Sequence, residues 1–413
     1  MAIENNLYHV RAMFPPCDIP DPESLDEREA CRQLFRTLSS ATGVTPKWGT
    51  LTGIRPVKLA DINLEAEFLV APEKAEIIRK IAAVQSGLAK PSGFSLYISV
   101  PFCPSRCSYC SFISEHNPSA ELVEEYVRCL CDEIKLVGII VKEKGLCPQT
   151  VYVGGGTPTF LSHVQLDRIL KCVHASFDMS ACAEITVEAG RPDTVTAEKL
   201  AVLKANGTTR ISINPQTFDD SVLKEIGRRH TTKQTLDAFA LAAKYDFLVV
   251  NADLIAGLPK EGLDGFKRSV DTLLGLGVNN VTVHTLCVKR SSRIHEQSGK
   301  GLAYSQSEAG EMLDYAYDRL CAAGLEPYYL YRQKLALDGL ENVGFAAAVA
   351  ECLYNVNIMA DNQTIIACGA GGVSKIVGDE ISRSFGFKYA AEYVRNFEEI
   401  LRRKRNLGLK DFL

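Results

Sequence analysis

Three cysteines in the stretch CPSRCSYC are the strongest chemical signal in the sequence. Cys103, Cys107 and Cys110 follow a C-x3-C-x2-C pattern within eight residues. A structural zinc ion takes four ligands, usually from two paired cysteine sets, and the chain has no second C-x-x-C. Thiolates also hold iron–sulfur clusters, and three of them on a cubane cluster leave one iron free to bind a small molecule. The alternative is three unrelated core cysteines, but buried structural cysteines rarely gather in such a turn-rich loop.

Glycines and polar residues follow several predicted strands, where a ligand could be held. The run Gly154 to Gly156 would let the backbone approach a bound molecule closely, although a tight turn would also explain it. Glu188, Gln216 and Asp253 lie on or directly after three successive predicted strands. A polar side chain at the end of a buried strand needs a partner, so three of them together indicate a shared polar ligand.

The elements that must position these residues alternate between strands and helices. Six short β-rich runs are predicted at residues 95–100, 150–153, 184–188, 210–213, 248–255 and 281–286, and amphipathic helical runs separate them. This alternation predicts right-handed βαβ units and a parallel sheet. Six units are fewer than the eight of a closed barrel, so we expect an open, partial barrel, with a doubly wound flat sheet as the alternative.

The remaining chain divides into a segment before this core and a region after it. Residues 1–90 have a helical composition, and Pro91 and Gly93 mark a boundary. Residues 91–303 form the predicted α/β core. Residues 304–413 combine helical runs with a Gly- and Ala-rich stretch, and we expect a smaller region that packs against the core and closes it.

The composition is that of an ordinary globular protein, with 46% hydrophobic and 23% charged residues in a chain of 413. A formal net charge of −4 gives no basic field for binding nucleic acid. The start has no basic segment followed by an apolar run, and no stretch of about 18 apolar residues occurs, so neither a signal peptide nor a membrane span is expected. The 14 cysteines are scattered, which is typical of reduced thiols in a cytoplasmic protein.

Longer motifs resemble those of radical S-adenosyl-L-methionine (SAM) proteins. The stretches YISVPFCPSRCSYCSF, VYVGGGTPT, EITVEAGRPDT, RISINPQTF, IGRRHT and NADLIAGLP are similar, in this order, to the oxygen-independent coproporphyrinogen III oxidase family. The stretches WGTLTGIRPVKL, TVHTLCVKR, YYLYRQK, ENVGF and QTIIACGAGG resemble its HemZ-like branch. The resemblance implies a partial (β/α)6 TIM-like barrel of radical SAM type, with a helical N-terminal segment and a smaller α+β C-terminal region.

The resemblance also implies a set of site residues. The three cysteines would hold a [4Fe–4S] cluster whose open iron binds SAM, and Tyr109 would meet the adenine. The positions that match cofactor sites of the family are Tyr97, Tyr109, Gly155, Gly156, Thr157, Glu188, Gln216, Arg228, Asp253 and Cys287. Some of these positions serve a second SAM molecule in other members, so one or two SAM molecules are implied.

The implied reaction is the oxidative decarboxylation of coproporphyrinogen III. A 5′-deoxyadenosyl radical takes a hydrogen atom from the β-carbon of a propionate, which then loses an electron and carbon dioxide and becomes a vinyl group. Two propionates react, and the product is protoporphyrinogen IX. The chain would be a monomeric cytoplasmic enzyme that receives electrons from a donor such as flavodoxin or ferredoxin.

The carboxylates of such a tetrapyrrole substrate need cationic partners, and arginine suits them best. The candidates at the expected barrel mouth are Arg191, Lys289, Arg290, Arg332 and Lys334. Taken singly, each could equally be a solvated surface charge. His284, in the last predicted strand, could be a proton donor or a core histidine, and the core role is slightly favoured.

Three other functions stay open at this stage. The same scaffold could serve a heme-binding chaperone or a radical methyltransferase that opens the heme ring. An iron–sulfur electron carrier is the third alternative, but it would leave GGGTPT and the polar strand-end residues without a task.

Overall fold

The computed structural model describes residues 2–22, 26–53, 55–88, 93–110, 112, 115–288, 308–333 and 336–407. Its helices are α1 (Ala2–Arg11), α2 (Glu27–Thr42), α3 (Leu64–Phe68), α4 (Pro72–Leu88), α5 (Ala120–Glu143), α6 (His163–Ser176), α7 (Ala197–Ala205), α8 (Asp220–Glu225), α9 (Thr232–Ala242), α10 (Leu263–Gly275), α11 (Ala309–Ala322), α12 (Leu353–Ala360), α13 (Ala390–Arg395) and α14 (Phe397–Arg405). Among the described residues, no helix has both the length and the apolar character that crossing a membrane requires.

One large sheet carries most of the strands. Its members, with the short pair β2–β3, are β1 (Phe94–Val100), β2 (Phe102–Cys103), β3 (Glu115–His116), β4 (Pro148–Gly155), β5 (Glu184–Glu188), β6 (Arg210–Ser212), β7 (Val249–Ala256), β8 (Asn280–Thr285), β9 (Glu326–Arg332), β10 (Glu341–Ala346), β11 (Thr364–Cys368), β12 (Val373–Val377) and β13 (Ile381–Phe385). The order in the 11-stranded sheet is β13-β12-β11-β1-β4-β5-β6-β7-β8-β10-β9.

The six predicted core strands are confirmed as β1, β4, β5, β6, β7 and β8, and each pairs in parallel with the next. They lie side by side in chain order, whereas a doubly wound sheet reverses its strand order at a switch point. The flat-sheet alternative is therefore wrong, and the singly wound, barrel-like arrangement is confirmed. Their buried residues alternate between an outer layer packed against the helices and an inner face rich in tyrosine.

The C-terminal region extends the sheet at both edges instead of closing it by strand pairing. Strand β11 pairs in parallel with β1, and β10 pairs antiparallel with β8. The two outermost strands of the described sheet, β9 and β13, are not paired with each other. Helix α12 connects β10 to β11 and so crosses from one side of the sheet to the other. Both predicted domain boundaries, near residues 90 and 303, lie outside the described residues.

The N-terminal segment is anchored on strands β9 and β10. Trp48 donates from Nε1 to Glu341 Oε2 at 2.5 Å, and Lys74 pairs with the same carboxylate. Burial alone would raise the pKa of Glu341, but the charge and hydrogen bond of Lys74 and the bond from Trp48 lower it. The guanidinium of Arg332 stacks over the Trp48 ring at 4.8 Å and donates to the carbonyl of Leu51. These buried contacts hold residues 48–88 against the core.

Candidate active site

A cavity of about 440 Å³ lies at the carboxyl ends of the parallel strands. Its wall is built from the segments that follow β1, β4, β5, β6, β7 and β8, and helix α12 contributes one side. The sequence-predicted residues that line it are Cys103, Cys107, Cys110, Tyr109, Gly155, Gly156, Thr157, Glu188, Arg191, Gln216, Arg228, Asp253, His284 and Cys287. The fold thus brings together residues that are spread over more than 180 positions of the chain.

The loop with the three cysteines is held by contacts to the loops of neighbouring strands. The backbone N–H of Ser108 donates to the carbonyl of Ile226 at 2.9 Å, and the N–H of Cys110 donates to the carbonyl of Cys107 at 3.2 Å. The buried guanidinium of Arg191 donates to the carbonyl of Ser105 at 3.2 Å and to its hydroxyl at 3.0 Å. The loop therefore has a defined conformation in the protein itself.

The glycine loop after β4 lies directly against this cysteine loop. The N–H of Gly156 donates to the carbonyl of Val100 at 2.8 Å, and the N–H of Thr157 donates to that of Phe102 at 2.8 Å. A Cβ atom on Gly156 would lie 2.6 Å from the Phe102 carbonyl oxygen and 2.9 Å from Cys103 Sγ. Thr157 Oγ1 is 3.3 Å from the same sulfur. The glycine is needed because no larger residue fits this close approach.

The surroundings of the Cys110 thiol disfavour its charged form in the cofactor-free protein. Burial, together with the neighbouring Cys107, raises the pKa of the Cys110 thiol to about 11. Without a cation the thiol stays protonated, and a bound metal would be required to hold it as a thiolate. Among the described residues, no three or more Cys, His, Asp or Glu side chains form a preassembled ligand set for a metal ion.

Tyr109 and Arg228 join the cysteine loop to two strand ends. The guanidinium of Arg228 donates to the Tyr109 hydroxyl at 3.1 Å, and to the carbonyls of Gly190 at 3.1 Å and Asn214 at 2.6 Å. Burial of this tyrosine raises its pKa above the ordinary range, so it stays neutral. The tyrosine ring between Cys107 and Cys110 is therefore fixed at the cavity wall, as a surface that could contact a flat ligand.

Glu188, at the end of β5, is a partly buried carboxyl that faces the cavity. The hydroxyl of Tyr152 donates to its Oε1 at 2.6 Å. Burial, and then the charge of Asp253, raise the pKa of Glu188 to about 7, although the hydrogen bond from Tyr152 opposes the shift. The carboxyl is thus poised between its neutral and charged forms, and a cationic ligand group would favour the charged one.

We expect Glu188→Gln to remove a pH-dependent loss of stability. The folded-state pKa of about 7 lies above the ordinary 4.5, so the contribution of Glu188 is full below the lower value and is lost as the pH rises through the higher one. Between about pH 4.5 and pH 8, the wild type should lose roughly 2–3 kcal/mol of unfolding free energy relative to the variant. Urea denaturation of the cofactor-free protein measures this difference.

The control for that measurement is Glu76→Gln, which removes an exposed carboxyl on α4. It should leave the pH dependence of the unfolding free energy as in the wild type. Parallel pH profiles for the wild type and Glu188→Gln would contradict a raised pKa at Glu188.

Gln216, just after β6, has a strained backbone and an unpaired side-chain oxygen. Its backbone φ of 70° lies in the left-handed region, which residues other than glycine rarely adopt. Its N–H donates to the Asp253 carbonyl at 2.9 Å, which ties the residue to β7. Its Oε1 is buried and has no hydrogen-bond partner among the described residues. An unpaired buried acceptor next to a cavity indicates a position where a ligand donor would bind.

Asp253 and His284 form a polar pair on the inner face of β7 and β8. His284 Nε2 lies 3.5 Å from Asp253 Oδ2, and its Nδ1 lies 3.2 Å from the Tyr331 hydroxyl. Asn251 donates to Asp253 Oδ1 at 2.8 Å. His284 lines the cavity with 27% of its side chain exposed, so the favoured core role is wrong.

Several sequence-predicted residues have a different environment from the expected one. Tyr97 is not a cavity-lining residue but stacks on Tyr152 and Tyr354 beneath the cavity, with ring centroids 6.1 and 6.0 Å away. Arg332 does not line the cavity, and burial lowers its pKa to about 10 while it packs on the N-terminal segment. Arg191 does line the cavity, and its buried guanidinium also bonds to the cysteine loop. The other candidate cations, Lys289, Arg290 and Lys334, lie outside the described residues.

Sequence reasoning missed the aromatic and amide residues of the cavity wall. These are Tyr152, Asn214, Asn251, Tyr329, Tyr331, Tyr354 and Asn355. Tyr152 and Asn251 occupy inward positions of predicted strands, so period-2 alternation could have found them. Tyr354 and Asn355 lie on α12, whose position across the sheet has no local signal in the sequence.

This chain is similar to one family model and to several known proteins. The family model described as the radical SAM superfamily matches residues 97–273. The chain is 38% identical to the oxygen-independent coproporphyrinogen-III oxidase-like protein HemZ of Bacillus subtilis, over 91% of its own length and 81% of that protein. It is 30% identical to the heme chaperone HemW of the same species, over 76% of its own length and 83% of that protein.

A solved structure shows the same fold. Coproporphyrinogen III oxidase (HemN) from Escherichia coli, described as a radical SAM enzyme, matches with a TM-score of 0.60 and 21% identity. The match covers 78% of this chain and 73% of that one.

Proposed function

Because the chain belongs to the oxygen-independent coproporphyrinogen III oxidase-like family of radical SAM proteins, whose cofactors are a [4Fe–4S] cluster and SAM, we propose that it is the enzyme that decarboxylates coproporphyrinogen III to protoporphyrinogen IX. Each reacting propionate would lose one hydrogen atom to the 5′-deoxyadenosyl radical, one electron to an external one-electron acceptor, and carbon dioxide, and its two remaining carbons would become a vinyl group. A reductant such as flavodoxin or ferredoxin is the proposed electron donor.

The observation that carries the proposal is the single cavity onto which the three cysteines, the glycine loop and the strand-end polar residues converge. Cys103, Cys107 and Cys110 would hold the cluster, and Gly155 and Gly156 let the glycine loop pack closely against the loop that carries them. When bound, the cluster and SAM supply a 5′-deoxyadenosyl radical, which is the hydrogen-atom acceptor of the reaction.

The residues of the chain would bind and orient both reactants. Glu188 and Gln216 offer acceptor oxygens to the amino and hydroxyl groups of SAM, and the Tyr109 ring offers a flat surface to its adenine. Asp253, His284 and Tyr331 would present further polar atoms to the cavity. Helix α12 and the aromatic residues beneath the cavity exclude water from the inner side of the sheet. Accurate positioning matters because a misplaced radical would react with the protein instead.

Anaerobic product analysis tests the proposal. Reconstituted protein with SAM, a reductant and coproporphyrinogen III should release carbon dioxide and form vinyl groups, and it should form 5′-deoxyadenosine in parallel. Formation of 5′-deoxyadenosine with unchanged porphyrinogen would show that the assigned substrate is wrong.

A heme-binding function is the second candidate, because a heme chaperone is also a 30% identical relative. The same experiment separates the two, since a chaperone should bind heme stoichiometrically and form no vinyl product. Heme titration of the reconstituted protein, followed by optical absorption, supplies that comparison.

A further inference from the structure

Two cysteines outside the cavity wall meet where helices α5 and α6 pack together. Cys131 on α5 and Cys172 on α6 are 41 positions apart in the chain, and Cys172 Sγ donates to the Cys131 carbonyl oxygen at 3.3 Å. The Cys131 thiol in turn hydrogen-bonds the Cys172 sulfur. Neither residue lines the cavity, and the proposed function gives this pair of thiols no task.

The two helices approach each other closely along this stretch. A Cβ atom on Gly138, about two turns after Cys131, would lie 2.5 Å from the carbonyl oxygen of Ser176, about one turn after Cys172. Only a residue without a side chain allows that approach. A disulfide requires Cβ atoms about 3.5–4.5 Å apart, so two thiols that already contact each other need only small side-chain rotations to form one.

The Cys172 sulfur has surroundings that favour its ionised form. The hydrogen bond from Cys131 lowers the pKa of Cys172 to about 7, although burial opposes the shift. The Ser176 hydroxyl, 3.9 Å from the sulfur, and the charge of Lys135 lower this pKa further. Burial raises the pKa of the Cys182 thiol, by contrast, to about 11. Near neutral pH a substantial fraction of Cys172 is therefore thiolate, which is the nucleophilic form of the side chain.

Packing alone does not explain this environment. A cysteine that serves only as a small core residue is buried among apolar atoms, and its thiol stays protonated. Cys172 is instead partly exposed, whereas Cys131 beside it is buried. An accessible, ionisable thiol in front of a buried partner thiol suits thiol–disulfide exchange, in which the first thiol attacks and the second resolves the intermediate.

We propose that Cys131 and Cys172 are a redox-active dithiol that low-molecular-weight disulfides convert to an intramolecular disulfide. The Cys172 thiolate attacks one sulfur of the small disulfide, whose S–S bond breaks, and one small thiol leaves. The Cys131 thiol then loses its proton to solvent and attacks the Cys172 sulfur, and the second small thiol leaves. Two protein thiols are oxidised and one small disulfide is reduced to two thiols, so no other reactant is needed.

The first step also prepares the second. The hydrogen bond to Cys172, and then burial, raise the pKa of the Cys131 thiol above its ordinary range. Once the Cys172 sulfur is part of a mixed disulfide, it carries no negative charge and no longer holds the Cys131 proton. The resolving thiol then ionises more readily, so Cys172 reacts first and Cys131 second.

The disulfide would join the helices that follow the two loops of the candidate active site. Helix α5 comes after β3, which pairs with β2 at Cys103, and α6 begins at His163, shortly after Thr157. A bond between these helices closes a loop of the chain that contains β4. Such a closure restricts the unfolded chain, so oxidation of the pair should raise the melting temperature of the protein.

Treatment of the full-length, cluster-reconstituted protein with glutathione disulfide under argon tests the proposal. After alkylation of the remaining thiols and digestion with trypsin, we expect a disulfide between Cys131 and Cys172. Their tryptic peptides also contain Cys129 and Cys182, so fragment-ion mass spectrometry is needed to assign the bond. Cys131→Ala should instead hold glutathione on Cys172 as a mixed disulfide, and Cys172→Ala should leave Cys131 as a free thiol.

Cys147→Ala is the matched control. Cys147 is also partly exposed, but burial and the charge of Asp178 raise the pKa of its thiol. This variant should form the disulfide as the wild type does. Glutathione disulfide should raise the melting temperature of both by a few degrees and leave that of Cys131→Ala unchanged.

Two results would overturn the proposal. In the first, Cys131 and Cys172 of the wild type both stay open to alkylation after treatment with glutathione disulfide. In the second, Cys131→Ala carries no glutathione on Cys172, or its melting temperature rises as much as that of the wild type. None of these measurements involves a tetrapyrrole, so they test the dithiol independently of the proposed decarboxylation.

Discussion

Replacement of Cys103, Cys107 and Cys110 by alanine should abolish both iron binding and the formation of 5′-deoxyadenosine from SAM. The three thiols line one cavity, and each would bind a different corner of the cluster, so their loss leaves no protein ligand for the iron. We expect the iron content of anaerobically reconstituted protein to fall from about four per chain to background. Iron analysis and chromatography of the SAM-derived products measure the two effects.

The matched control replaces three other cysteines, Cys17, Cys147 and Cys321, which are partly exposed at distant positions. This variant should keep the iron content and the activity of the wild type. Backbone contacts and Arg191 hold the cysteine loop, so the apoproteins of both variants should melt within a few degrees of each other. Full iron content in the cysteine-loop variant would contradict the assignment.

Gly156→Ala should cost about 100-fold or more in 5′-deoxyadenosine formation, even though it adds only a methyl group. That group would lie 2.6 Å from the backbone carbonyl oxygen of Phe102, which cannot move without its chain segment, and 2.9 Å from Cys103 Sγ. The cysteine loop must therefore move away from the glycine loop, and the close packing of the two loops is lost. Overpacking of this kind also costs about 1–3 kcal/mol of unfolding free energy.

Gly310→Ala is the control for this substitution. A Cβ atom at that position, in α11, has no neighbour within 4 Å. It should leave the activity unchanged and stabilise the helix slightly. Wild-type activity in Gly156→Ala would show that the contact between the two loops is unimportant for cofactor binding.

The features predictable from the sequence are those with a local signal. Cys103, Cys107 and Cys110 are recognisable because their spacing already defines one loop. The six core strands are recognisable because apolar runs alternate with amphipathic helices, and their sequential pairing follows from the βαβ rule. The convergence of Glu188, Gln216 and Asp253 also follows, since the carboxyl ends of parallel strands share one edge of the sheet.

The features that could not be predicted depend on contacts between distant parts of the chain. Arg332 carries the same local signal as a cavity arginine, but its partner carbonyl at Leu51 lies 281 residues away. The pairing of β11 with β1 joins residues about as far apart. The periodicity of a sequence does not indicate such long-range pairings. The placement of α12, and with it of Tyr354 in the cavity wall, is therefore known only from the structure.

The electron paramagnetic resonance spectrum of the reduced, anaerobically reconstituted protein, recorded with and without SAM, tests the central claim most directly. That claim is a cluster held by three cysteines with one iron open to SAM. We expect a cluster signal whose shape changes when SAM is added, and no signal in the Cys103→Ala/Cys107→Ala/Cys110→Ala variant. A signal that SAM leaves unchanged, or that survives loss of the three thiols, would contradict the claim.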